Sequence, residues 1–295
     1  MDIPAPLPKP APFRSANASA SGLTYRQLRS RAFRRVFHDV YVAARTPDSV
    51  HLRADAASLL LPPEAAFCGL TAARLYGLTV PERDMRTHVA VPSSAATFPR
   101  SKDPRVHRYT IPADQITVHE GRRLVGPARL FLELAATLPR LDLLVAGDEI
   151  LRRGLAERET IAAFLAGSHR RRGVQRARDA LPLLDARADS PPETRLRILL
   201  TDHGLPRPMV NEDVLNGWGV WLARPDLSYP ALKIAIQYEG RHHQQDPQQY
   251  AYDIERDARL IDAGWIVIRV DADALFRHPR HVVRRVRNAL AQRRP

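Results

Sequence analysis

"RPDLSYPALKIAIQYEGRHH", residues 224–243, is the stretch on which the reading of this 295-residue chain turns. Two extended segments flank Pro230-Ala231-Leu232, which reads as the turn of a hairpin. Side chains alternate faces along a strand, so Ile234, Ile236 and Tyr238 point one way and Lys233, Ala235, Gln237 and Glu239 the other. Gln237 and Glu239 then share a face, with Cα atoms ~6.6 Å apart at ~3.3 Å per residue. Counting symmetrically about the turn sets Asp226 opposite Ile236 or Gln237. One carboxylate from the first segment and two oxygen-bearing side chains from the second make a hard pocket suited to Mg²⁺ or Mn²⁺. An ion there would activate water and neutralise charge building on a phosphate, so the chemistry suggested is phosphodiester hydrolysis.

The neighbouring text predicts an α/β unit around this hairpin. "SPPETRLR" (190–197) opens a helix, and Ser190-x-x-Glu193 has the spacing of a capping box. Asp246-Pro247 begins a second helix and Gly264 ends it. "WIVIRV" (265–270) reads as a buried strand. The last helix, from Pro279, buries Val282, Val283, Val286 and Leu290 and turns Arg280, Arg284, Arg285 and Arg287 outward as a track for phosphates. Asp253, Arg256 and Asp257 stand at helical spacing and read as surface ion pairs.

Proline-aspartate, a hairpin and an acid-bearing strand, with "SPPETRLR" before them and "YDIERDARLIDAGWIVIRV" (252–270) after, resemble the PD-(D/E)XK nuclease superfamily. The fuller pattern is similar to its very-short-patch-repair-like endonuclease branch and covers about the last 105 residues of the sequence. The resemblance implies a restriction-endonuclease-like sheet flanked by helices. It assigns Glu193 to the first helix of the site, Asp226 to the metal, and Gln237 and Glu239 to the acid-bearing strand. His243 takes the place of a histidine that handles a proton or the phosphate, and His242 and Arg256 become candidate nucleic-acid contacts. Gln237 stands where the family strand often has an acid, and no lysine occupies the usual third position. Lys233 is six residues from Glu239, about 20 Å along the strand. A register in which Glu239 and Arg241 supply the acid and the cation is the alternative, with Arg241 stabilising an oxyanion but unable to act as base.

Several of these residues have a plainer reading. Glu193 can cap its helix, Asp226 can be a turn residue after proline, and Glu239 can be an exposed strand end.

Upstream, "LTYRQLRSRAFRRVFHDVYVAART" (23–46) reads as a basic amphipathic helix ending in a strand at 40–43. That suits either a winged-helix type of DNA binder or an ordinary helix with a solvated face. Helices around Pro62-Pro63, short strands from about 85 to 126, a helix from Pro127 and a helical stretch at 141–184 follow. The helix-to-"VYVA" unit and "VGPARLFLELA" (125–135) resemble abortive-infection (AbiEi-type) antitoxin regulators. The expected organisation is a proline-rich tail (1–20), a winged-helix-like region (21–80), a mixed α/β antitoxin-like body (81–185) and an endonuclease-like domain (188–295), α+β overall.

Charge points the same way. The net charge is +13, and only Lys9, Lys102 and Lys233 are lysines among 45 basic side chains. Arginine forks onto phosphate with paired hydrogen bonds, so the expected partner is DNA. A single cysteine, Cys68, excludes an internal disulfide and a cysteine-rich zinc site. With no apolar run of ~18–20 residues, no membrane association is expected and the cytoplasm is the expected address. The function expected is metal-dependent endonucleolytic cleavage of DNA, in repair or defence. The alternative is a DNA-binding, antitoxin-like regulator with a degenerate nuclease fold, partnered by a second copy or a toxin.

Overall fold

The computed structural model describes residues 11–20, 22–95, 102–240 and 247–293, with the backbone alone described at 19–20 and 247–254. It is an α+β protein of two compact units: residues 1–138 with 159–178, and 139–158 with 179–295.

In the first unit, Phe13–Arg14, Val40–Ala43 and Phe33–Phe37 form a three-stranded antiparallel sheet with the Val40 strand in the middle. The helix expected through residue 37 is confined to Tyr25–Leu28, and Phe33–Phe37 is a strand. The reason is periodicity: Phe33 and Phe37 are buried at the two ends of the strand, and Asp39 supplies the left-handed turn (φ 65°) that folds it back. Arg26, Arg29, Arg31 and Arg35 remain exposed around this small sheet. A mixed five-stranded sheet follows, in the order Arg105–Arg108, His88–Val91, Ala66–Phe67, Arg122–Val125, Ile116–His119. "HRRRG" (169–173) lies in a turn, where Gly173 packs so closely on the Ala136 backbone that a Cβ would sit 2.5 Å from its nitrogen.

The second unit is built on a four-stranded sheet in the order Ile266–Asp271, Ile234–Glu239, Leu227–Tyr229, Met209–Val210. The first pair is parallel and the other two are antiparallel. "VWLARPDLSY" is two strands rather than one. Trp221–Ala223 pairs with Val214–Leu215 in a separate ribbon, and only Leu227–Tyr229 joins the main sheet.

Burial alternates as a sheet covered on both sides requires. Ile234 and Ile236 pack with Leu196 and Leu200 of helix Pro191–Asp202 and with Val282, Val286 and Leu290 of helix Pro279–Arg293. Ala235, between them, packs on the opposite face with Leu260 of helix Pro247–Asp262, Trp265 and the ribbon residues Val214, Leu222 and Ala223.

Helix Arg140–Arg152 belongs to this unit. Its Asp148 meets Arg197 at 2.7 Å, both side chains 1% exposed. Asp148 also accepts hydrogen bonds from Thr194 Oγ1 and the Asp185 backbone N–H.

Candidate functional site

The pairing of Leu227 with Ile236, continued by one residue, brings Asp226 beside Gln237. Both lie on the face covered by helix Pro247–Asp262, because Gln237 follows Ala235 by two positions. Asp226 just precedes its strand, and its Oδ2 accepts the Tyr238 backbone N–H at 2.6 Å. Burial raises this carboxyl to about 7. The Tyr238 hydrogen bond opposes the rise, Glu193 and Asp189 add to it, and Arg256 acts against it. Burial thus holds Asp226 toward its protonated form.

Glu193 sits in the first turn of its helix, where Ser190 is the N-cap and accepts the Glu193 backbone N–H. The Glu193 carboxylate turns to donors other than the Ser190 backbone N–H that a capping box requires. Its Oε1 accepts from Ser190 Oγ at 2.7 Å and its Oε2 from the Asp189 backbone N–H at 2.8 Å. Asn211, which carries no sequence signal, joins Glu193 to Asp226. In a left-handed conformation (φ 46°), Asn211 donates its side-chain Nδ2 to Glu193 Oε2 at 2.6 Å and its backbone N–H to the Asp226 carbonyl at 3.0 Å.

Glu239 turns to Arg269 of the adjacent parallel strand, Oε1 to Nη1 at 3.0 Å. Arg269 Nε also donates to Asp257 Oδ2 at 2.8 Å. Asp257, expected as a surface residue, is buried. One cation thus bridges the two acids, which corrects the reading of Asp257 as part of a solvated helix face. Gln237 is 2% exposed, and its Nε2 has no hydrogen-bond partner among the described residues. Lys233 precedes the strand in a left-handed turn (φ 50°) and donates to the Ala263 carbonyl.

Arg241, His242 and His243 lie outside the described residues. Arg280, Arg284 and Arg287 are exposed along the last helix, whereas Arg285 turns inward and donates to the Arg269 carbonyl at 2.8 Å. For a divalent ion, the described residues offer the Asp226 carboxylate and the Gln237 amide oxygen, with Glu239 held by Arg269. No three His, Cys, Asp or Glu side chains among the described residues gather to hold a metal. The described set alone does not fit a complete Mg²⁺ site.

In the first unit, "VGPARLFLELA" acquires a structural meaning. Pro127 opens helix Pro127–Ala135, which places Arg129 and Glu133 one turn apart. Glu133 Oε1 accepts from Arg129 Nε at 2.9 Å and from Tyr109 Oη at 3.1 Å, and its Oε2 accepts the Gly69 backbone N–H at 3.0 Å. The last bond caps helix Gly69–Leu75, whose N-cap Cys68 makes no side-chain cap. Arg129 also lies over the Tyr109 ring, 5.1 Å from its centroid. Burial raises the Cys68 thiol and the Tyr109 hydroxyl far above their usual ranges, so both stay protonated.

Two proteins of Mycobacterium tuberculosis, uncharacterized protein MT2308 and uncharacterized protein Rv2248, are each 30% identical to this chain over 278 residues, covering 91% of it and 96% of their own length. The chain belongs to their family. Residues 65–183 match the family described as AbiEi antitoxin C-terminal domain, and the Glu133 cluster falls inside that segment. The crystal structure of the RV2827C protein from Mycobacterium tuberculosis shares 17% identity, with a TM-score of 0.42 over 59% of this chain and 72% of that one. Among the described residues, no helix is long and apolar enough to cross a membrane.

Proposed function

We propose that this protein is a DNA-binding, antitoxin-type regulator whose C-terminal α/β unit serves as a nucleic-acid platform. The observation that carries the reading is the match of residues 65–183 to the AbiEi antitoxin C-terminal domain. The net charge of +13 supports it, as do the exposed arginines of the small N-terminal sheet and the last helix. A toxin is the protein partner that this reading implies. The engagement of Glu239 by Arg269 favours a binding role for the C-terminal unit, since that acid is already neutralised.

A second reading, metal-dependent endonuclease, is favoured by one observation. Asp226 lies beside Gln237 with a carboxyl raised to about 7, and the Glu193 charge contributes to that shift. In that reading Asp226, Gln237 and Glu239 would hold Mg²⁺ or Mn²⁺, Glu193 would orient the site and His243 would handle a proton or the phosphate. The ion would supply water activation and charge neutralisation.

The deciding experiment incubates the full chain with supercoiled plasmid and labelled duplex, with Mg²⁺ or Mn²⁺. The regulator reading expects salt-sensitive binding without cleavage, and absence of binding at low salt overturns it. Divalent-dependent cleavage that disappears in Asp226→Ala would replace it with the enzyme.

A further inference from the structure

The ribbon formed by Val214–Leu215 and Trp221–Ala223 turns through Asn216-Gly217-Trp218-Gly219-Val220. Trp218 is 87% exposed, the most of any large apolar side chain among the described residues, and Leu215 (54%), Val220 (58%) and Trp221 (39%) lie along the same ribbon. The turn that holds Trp218 is fixed. Asn216 Oδ1 accepts the backbone N–H groups of Trp218 at 3.0 Å and Val220 at 2.9 Å. The Gly219 N–H donates to the Asn216 carbonyl at 3.0 Å, with Gly219 at φ +77°. The backbone that carries the indole is therefore ordered before any partner arrives, which lowers the entropy lost on binding.

Three features select the chemistry of that partner. Glycine stands on each side of Trp218, and a Cβ built on Gly217 or Gly219 would meet nothing within 4 Å, so a planar group has open approach. At the base of the ribbon the Arg259 guanidinium lies 5.2 Å from the Trp221 ring centroid, and the Trp221 indole N–H donates to Asp213 Oδ1 at 2.9 Å. Arg224, after the second strand, is held by Asp189 and the Asn211 carbonyl. Aromatic planes interleaved with arginine suit stacked bases and the phosphates that join them. Finally, a chain of net charge +13 complements a polyanion and opposes its own basic copy. The underside of the ribbon packs on Ala235, Leu260 and Trp265, the sheet face that also carries Gln237.

We infer that this ribbon is a base-stacking ledge: Trp218 stacks on a base of an unpaired nucleic-acid strand, while Arg259 beside Trp221 faces its phosphates. The inference rests on the nucleic-acid-binding reading above and adds the form of the ligand and the residues that grip it.

The test uses the full chain and a fluorescein-labelled oligo(dT) of about 20 nucleotides, with a duplex of equal length alongside, at one fixed salt concentration. Trp218→Ala is expected to weaken oligo(dT) binding about tenfold, and Trp218→Phe to keep most of it, because a phenyl ring still stacks. A 2-aminopurine base in the oligonucleotide should be quenched by the wild type and not by Trp218→Ala. Unchanged oligo(dT) affinity and unchanged quenching in Trp218→Ala overturn the ledge, even where the protein still binds duplex with a steep salt dependence. Unchanged DNA binding together with loss of self-association in sedimentation would assign the ribbon to a protein contact and overturn it equally. A wild type that binds neither oligonucleotide removes the parent reading and the ledge with it.

Discussion

The backbone N–H of Tyr238 donates to Asp226 Oδ2 at 2.6 Å, so a side chain supplies the rung where the backbone pairing ends at Leu227. The hydrogen bond favours the charged carboxylate, yet burial outweighs it and raises the group to about 7. An unfolded aspartate titrates near about 4, so the folded state holds this proton more tightly. Stability from this group is therefore fully present below pH ~4 and is lost as pH rises through about 7. Asp226→Asn keeps an acceptor for Tyr238 and removes the ionisation. Its stability should match the wild type below pH ~4 and exceed it increasingly up to pH ~8, with a gap on the order of 2–4 kcal/mol at full ionisation. Thermal melts across that range check the sign, and a gap that does not change with pH would refute it.

Asp148 and Arg197 should be the most costly polar pair to break in the C-terminal unit. Each is 1% exposed, and Arg197 also donates to the Leu183 carbonyl at 2.6 Å. Removing one partner leaves the other charge buried without compensation, a loss of about 3–5 kcal/mol. Arg197→Met alone should lower the denaturation midpoint sharply. Adding Asp148→Leu should recover part of the loss, since a buried pair can be replaced by apolar side chains of similar volume. A double variant no more stable than the single one would contradict this account.

The hairpin at 224–239 is legible in the sequence because its apolar residues alternate with polar ones and a proline-led turn divides them. Burial of Ile234 and Ile236 against one set of helices and of Ala235 against another follows that period. Residues 33–37 mislead because Phe33, Val36 and Phe37 fit a helical face as well as a short strand, and the arbiter, a left-handed Asp39, carries no sequence mark. The roles of Asn211, Asp257 and Arg269 are hidden for a different reason. Each acts through a partner at least 12 positions away, and nothing in an arginine-rich chain marks which arginine will reach which acid. Glu193 shows the limit from the other side: the Ser190 cap beside it is legible, and its influence on Asp226 comes only with the fold.

Glu133 is the residue on which the antitoxin-like segment should depend most. It compensates Arg129, accepts from Tyr109 and caps the helix beginning at Gly69. Glu133→Ala removes all three interactions and leaves a buried guanidinium, for an expected loss of about 3 kcal/mol or more. Glu133→Gln keeps acceptor geometry and should lose less. Urea denaturation followed by circular dichroism separates the two variants, and equal midpoints would show that the cluster does not support this unit.

The last helix makes a prediction that depends on charge alone. Val282, Val283, Val286 and Leu290 fix its apolar side in the core, which leaves Arg280, Arg284 and Arg287 exposed. If these arginines meet phosphates, each neutralised phosphate releases about one counterion and adds about 0.9 to the steepness of log K against log salt. The triple alanine variant should therefore bind duplex DNA with a slope shallower by roughly 2–3, and the weakening should depend little on sequence. Its stability should fall by no more than about 1 kcal/mol, because the hydrogen bonds lost, Arg287 to the His203 carbonyl and Arg284 to His281, are exposed. Anisotropy titrations at several salt concentrations give the slope directly. An unchanged slope would place the DNA-binding face on another surface, with the arginines of the small N-terminal sheet the next to be substituted.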